Sequence, residues 1–183
     1  MLELSMHILD IVENSTRAGA KLIKINIVED IKKDIFSIEI IDDGAGMNGD
    51  TLKKALDPFF TTKKVREIGL GLPMLSHSAK ITGGDFTIES KEGEGTRIAA
   101  EYKHSHIDRQ PLGNITGTLI TLITGNPEVD FVHSHKNNAE TYTLDTRDIR
   151  KELEDIPINN TEVLKLIRKN IEEGLEEIGI NEQ

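Results

Sequence analysis

From Leu2 to about Ala18 the apolar residues Leu4, Ile8, Ile11 and Val12 recur at helical spacing, and Ala18-Gly19-Ala20 supplies a stop, which predicts an amphipathic helix. The opposite stripe of that helix holds Glu3, His7, Asp10, Asn14 and Arg17 at intervals of four, three, four and three. Two readings fit the stripe. It is a solvated face, or the amide oxygen of Asn14 holds a divalent metal with Asp10 one turn earlier beside it. Period two then takes over: Leu22, Ile23, Ile25 and Ile27 stand against Lys24 and Asn26, and a polar connection at Asp30 to Asp34 leads into the strand residues Ile35, Phe36, Ile38, Ile40 and Ile41. This hairpin stops at Asp42-Asp43-Gly44-Ala45-Gly46-Met47, a D-x-G-x-G pattern. Either an ordinary tight turn or a loop whose glycine backbone approaches a flat or charged ligand fits that pattern.

Beyond Met47 the periodicity weakens. Asn48 is placed to cap a short helix through Ala55, and Pro58 ends it. Asp57 to Ile68 reads as a lid, with phenylalanines to hinge it and Thr61, Thr62, Lys63 and Lys64 to face an anion, or else as a plain surface loop. Gly69-Leu70-Gly71-Leu72-Pro73-Met74 opens a helix that ends at Gly83-Gly84, and glycines at a helix start leave backbone N–H groups free for phosphate. A second hairpin follows, Asp85 to Ser90 and Thr96 to Tyr102, joined by Lys91-Glu92-Gly93-Glu94-Gly95. Strands and helices in this order, without regular βαβ alternation, predict an α+β fold: a two-layer α/β sandwich with helices on one face of a mixed sheet.

Past His106 we expect strands at Gly117 to Thr124, Asp130 to His135 and Glu140 to Thr143, and helices at Arg147 to Asp155 and Thr161 to Ile178, the latter despite Gly174. The pairs His104/His106 and His133/His135 each fall on one side of a strand. They are read as part of a partner-docking surface, with metal chelation as the lesser alternative.

Composition narrows the function classes. A net charge of −10 with scattered basic residues lacks the footprint of a nucleic-acid or anionic-membrane binder. The absence of cysteine removes disulfides, thiolate metal sites and a Cys nucleophile. No apolar run approaches the ~20 residues that span a bilayer and no signal peptide is evident, so a cytoplasmic location is expected.

Asn14 on a helix, D-x-G-x-G, the run Asp57-Pro58-Phe59-Phe60-Thr61-Thr62-Lys63, G-x-G-L at Gly69 to Leu72 and a closing Gly93-x-Gly95-Thr96 stand in one order. Together they resemble the histidine-kinase, gyrase and mismatch-repair ATPase superfamily, and more particularly the ATP-binding catalytic domain of sensor histidine kinases. The resemblance covers about residues 1–105, leaving 106–183 as a small α+β extension. It implies ATP and Mg²⁺ as cofactors, with Asn14 as the Mg²⁺ ligand and Asp42 as acceptor for the adenine amino group. Gly44 and Gly46 would admit the base, Arg17 would face phosphate, Gly69 and Gly71 would pass the triphosphate, and Thr96 would support the adenine side. Met47, Leu70, Leu72 and the lid residues Phe60, Thr61, Thr62 and Lys63 complete the nucleotide site it implies. Asp43 stands where the family commonly has Asn and is not expected to touch the ligand.

Two departures bear on chemistry. Where the gyrase and mismatch-repair branch has a glutamate general base four residues before the metal Asn, this chain has Asp10, one methylene shorter. Glu67 replaces a glycine that often precedes the G-x-G-L pair. Sensor kinases also carry a phospho-acceptor His on a dimerising helix ahead of this domain. Here the pattern begins at Met1, so either the acceptor is expected on another protein or there is no acceptor. The leading expectation is therefore a histidine-kinase-type module that transfers phosphate to a partner. An ATP-hydrolysing switch and a non-catalytic nucleotide sensor are the alternatives.

Overall fold

The first helix, α1 (Leu4–Arg17), buries Leu4, Ile8, Ile11 and Val12 and leaves Met6 and Glu13 exposed, as its apolar spacing requires. In this computed structural model, which describes residues 3–57 and 71–181, α1 has no side-chain cap. Its first donors are satisfied from far along the chain instead: Leu4 N–H donates to the Pro111 carbonyl (2.9 Å) and Ser5 N–H to Leu112 (2.8 Å).

The sheet grows outward from the first hairpin. β1 (Leu22–Asp30) pairs antiparallel with β2 (Ile35–Asp42), β2 with β4 (Gly95–Lys103), and β4 with β3 (Phe86–Lys91). Between them lie α2 (Gly49–Lys54), capped by Asn48 accepting from Thr51 N–H, and α3 (Gly71–Ile81). On the other edge of β1, β5 (Asp130–Asn137) pairs in parallel, and β6 (Glu140–Asp145) pairs antiparallel with β5. Among the described residues the six strands form one mixed sheet in the order β3-β4-β2-β1-β5-β6. Alternation puts Ile23, Ile25, Ile27, Phe36, Ile38, Ile40, Ile98, Ala100 and Phe131 on the buried face, while Lys24, Glu39 and Arg97 stand on the other. Helices cover the buried face, which makes the two-layer α+β sandwich predicted from the element order.

The chain beyond residue 106 continues this sheet and this core. α4 (Ile115–Gly125) packs on α1, and α6 (Thr161–Glu177) packs on α4 and β6. Ile115, Leu119, Ile123, Ile167 and Ile171 join the same buried cluster as Leu4 and Ile8. The short α5 (Thr146–Leu153) lies against β5.

Two expectations are corrected here. The segment Gly117 to Thr124 is helix, not strand. Its buried residues Ile115, Thr116, Leu119, Leu122 and Ile123 follow a helical period, Asn114 caps it by accepting from Gly117 N–H, and Thr118, Thr121 and Thr124 return their hydroxyls to the carbonyls of Asn114, Gly117 and Ile120 at 3.0, 2.8 and 2.7 Å. The β-branched composition had favoured a strand, and packing on α1 and α6 overrides it. His133 and His135 are fully buried on the inner face of β5, so they form no docking surface. Among the described residues no three His, Asp or Glu side chains gather where they could hold a metal.

Candidate functional site

Asp42 is the last inward-facing residue of β2, continuing Phe36, Ile38 and Ile40, so the pleat carries a carboxylate to the rim of the core, 7% exposed. A polar group in that position needs partners. Oδ2 accepts from the Ser15 hydroxyl on α1 at 2.6 Å, and Oδ1 accepts from Gly44 N–H at 2.9 Å. Asp43, one residue on, faces the other way: its Oδ1 accepts from Lys21 N–H (2.7 Å) and Leu22 N–H (2.9 Å) and ties the loop to the start of β1. That backbone duty needs only one acceptor oxygen, which an asparagine there would also supply.

The rest of the D-x-G-x-G loop is held from both sides. Ala45 N–H donates to the Ala18 carbonyl at the end of α1 (2.9 Å), and Gly93 N–H donates to the Ala45 carbonyl (2.8 Å). Gly46 adopts φ +64° where a Cβ would stand 2.0 Å from the Lys91 carbonyl oxygen, so only glycine fits. Met47 N–H donates to the Ser90 hydroxyl (2.8 Å), which lies 2.9 Å from the Thr96 hydroxyl, and Thr96 stands opposite Asp42 in the β2–β4 register. Asp42, Gly44, Gly46, Met47 and Thr96 thus meet in one place, joined by Ser15 and Ser90, which sequence reasoning missed. Ser15 had a signal: it continues the spacing Leu4, Ile8, Ile11 as a polar residue on an apolar stripe. Ser90 had none, because a serine in an exposed edge strand is unremarkable.

Along α1, Asn14 and Asp10 lie half-buried one turn apart. Asp10 reaches the start of α3, where a Cβ on Gly71 would stand 1.8 Å from Asp10 Oδ2, so any larger residue there would push the Asp10 carboxylate aside. Leu72 packs against the core from the first turn of α3, which carries no acidic residue. Arg17 points elsewhere: it pairs with Glu13 at 3.2 Å, both half-exposed, an i,i+4 contact of small energetic weight. His7 is buried, with Nε2 3.1 Å from Gln110 Oε1, and burial lowers its pKa against the opposing effect of that hydrogen bond. Phe60, Thr61, Thr62, Lys63, Gly69 and Leu70, with the rest of the expected lid from Pro58, lie outside the described residues.

The inner rim of the sheet thus presents one pinned carboxylate, Asp42, with α1 bearing Asp10 and Asn14 on one side and the glycine-started α3 meeting Asp10. The model of the histidine kinase-, DNA gyrase B- and HSP90-like ATPases matches residues 2–106, and the chain belongs to that family. Curated relatives include the sensor kinase CckA of Brucella abortus (strain 2308), 44% identical over 64 residues, which are 34% of this chain and 7% of that one. Sporulation kinase E of Bacillus subtilis (strain 168) is 38% identical over 69 residues, 38% of this chain and 9% of the relative. Sensor protein DegM of Bacillus sp. (strain B21-2) is 32% identical over 91 residues, 50% and 24% respectively. The matches therefore span no more than about a quarter of these relatives' lengths. Among solved structures, the N-terminal domain of a DNA repair protein superposes with a TM-score of 0.53 over 94% of this chain and 56% of that one. At 18% identity this is a likeness of fold. Among the described residues no helix is long and apolar enough to cross a membrane.

Proposed function

We propose that the chain binds ATP with Mg²⁺ and transfers the γ-phosphate to a separate protein. The observation that carries the nucleotide half is Asp42: a buried carboxylate with one bond to each oxygen, aimed from a rim of glycine backbone, accepts from an exocyclic amino group and so suits adenine. The donor set also suits the metal. Asn14 would hold Mg²⁺ through its amide oxygen, a hard donor of the kind that ion prefers, with the Asp10 carboxylate one turn earlier beside it. Bound Mg²⁺ would neutralise charge on the triphosphate. The backbone N–H groups at Gly71 and Leu72 and the positive end of α3 would orient the phosphates. Arg17, released from Glu13, and Thr61, Thr62 and Lys63 would add cations and donors.

The transfer half draws support from the kinase names of the relatives and from an open, mainly apolar groove of about 800 Å³ beside the start of α3. It is lined by His7, Leu56, Pro73, Met74, His77 and Ile81. Incubation with γ-labelled ATP, alone and with proteins encoded nearby, tests the proposal: label on a partner protein is expected, and label released only as free phosphate overturns transfer. The contact of the Asp10 carboxylate with Gly71 favours one second reading, an ATPase in which Asp10 activates water beside the phosphates.

A further inference from the structure

Asp42 holds its orientation through a neighbour on another element. Ser15 is 4% exposed and Asp42 7%, and their 2.6 Å bond crosses from the inner face of α1 to the end of β2. A hydroxyl has one proton. The Ser15 oxygen also lies 3.4 Å from the Ile11 carbonyl, four residues earlier, but the shorter contact to a carboxylate takes the proton, because bonds to charged acceptors are the stronger ones. With Gly44 N–H on Oδ1, both carboxylate oxygens are then engaged, the plane of the group is fixed, and each oxygen keeps lone-pair capacity for a further donor. Without Ser15, Oδ2 would lose its protein donor and the group could turn about its last torsion, a soft one for Asp.

We infer that Ser15 is a specificity-determining positioning residue: its hydroxyl aims the Asp42 carboxylate, and through it sets preference for purine nucleotides with a 6-amino donor over those lacking one. This rests on the nucleotide site proposed above. Ser15 itself need not touch the nucleotide. Loss of its donor therefore weakens only ligands that bond to Asp42, whereas a purely structural role would weaken all of them alike.

The test compares Kd for ATP and for purine riboside triphosphate, which lacks the amino group, in the full chain and in Ser15→Ala, Ser15→Cys and Ser15→Thr, with thermal unfolding to check that each folds. In Ser15→Ala we expect ATP to weaken about tenfold, the loss typical of a charge-assisted bond. Purine riboside triphosphate should shift less than about twofold. Cysteine, similar in size but a weak donor, should behave like alanine, and threonine, which keeps the hydroxyl, should restore the preference. Equal weakening of both ligands, or an unchanged ratio in Ser15→Ala, overturns the inference. Should Ser15→Ala fail to fold, Ser15→Cys against Ser15→Thr decides on the same ratio. A parent chain that shows no preference for ATP overturns the adenine reading of Asp42 and this inference with it, whereas a preference that survives loss of the hydroxyl overturns this inference alone.

Discussion

At the scale of single residues the site turns on oxygen atoms whose tasks differ by orientation. Asp42 and Asp43 are adjacent and chemically alike, yet the pleat sends one to the core rim and the other to the backbone of Lys21 and Leu22. Asn14 and Asp10 share a helix face, and their roles separate by experiment. Asn14→Ala is expected to abolish the Mg²⁺-dependent tightening of ATP while metal-free binding persists, which calorimetric titration with and without Mg²⁺ measures; equal dependence in parent and variant would return Asn14 to a solvated face. Asp10→Asn addresses hydrolysis. An aspartate in the glutamate position holds a proton acceptor roughly 1 Å short, and a misplacement of that size costs on the order of a hundredfold in rate. Free-phosphate release by the isolated chain should therefore already be slow and change less than about twofold in Asp10→Asn; rapid turnover lost in the variant would establish the ATPase reading.

At the scale of elements, Gly174 is the residue that helix propensity counts against, and α6 shows why it is there. A Cβ would stand 2.1 Å from Tyr142 Cδ2 of β6, and the Tyr142 hydroxyl donates to Asn170 Oδ1 at 2.8 Å, one turn earlier on the same helix. Alanine gains up to about 1 kcal/mol of intrinsic helix stability, but the ring has to move, and overpacking of that kind costs about 1–3 kcal/mol. Gly174→Ala is thus expected to lower the urea midpoint, and an increase would mean that α6 and β6 do not pack this closely in solution. α4 makes the converse point. Its Ile and Thr residues prefer strands, but cover over α1 and hydroxyl bonds to the preceding turn hold them in a helix.

At the scale of the whole molecule, the parallel β1–β5 pairing unites the family-matched part of the chain with the rest, and buried histidines lie along that seam. His133 Nδ1 donates to the Ile25 carbonyl of β1 at 3.0 Å, its Nε2 has no hydrogen-bond partner among the described residues, and the His135 ring and Tyr142 flank it. Burial first, then the neighbouring His135, lower its pKa from 6.5 to about 3. At Glu29, burial pushes the carboxyl up, but hydrogen bonds and charge from His135 and His104 outweigh it and hold the pKa low. Both folded-state values lie below the unfolded ones, so the unfolded chain takes up protons first. The His133 contribution is complete above its ordinary value and declines as pH falls toward the lowered one, and that of Glu29 declines over a more acidic range. Unfolding free energy should drop by about 1.4 kcal/mol per pH unit for each such group within its window. Urea titrations between about pH 7 and 5 measure it, and His133→Asn, which keeps a donor for Ile25 but does not titrate, should flatten the slope; an unchanged slope would remove His133 as its source.

What the sequence by itself determined is the local grammar: the apolar stripe of α1, the alternation of β1 and β2, the Asn48 cap, the D-x-G-x-G stop and the order of motifs that marks the family over residues 2–106. These follow from side-chain period and backbone permissiveness, which act over a few residues. Only the tertiary structure decided that Ser15 meets Asp42 across 27 positions, that Asp10 abuts Gly71, that β5 lies parallel beside β1, and that an Ile/Thr run forms a helix. A pattern states which face must be buried but leaves open what will cover it. That choice depends on the packing of elements distant in the chain.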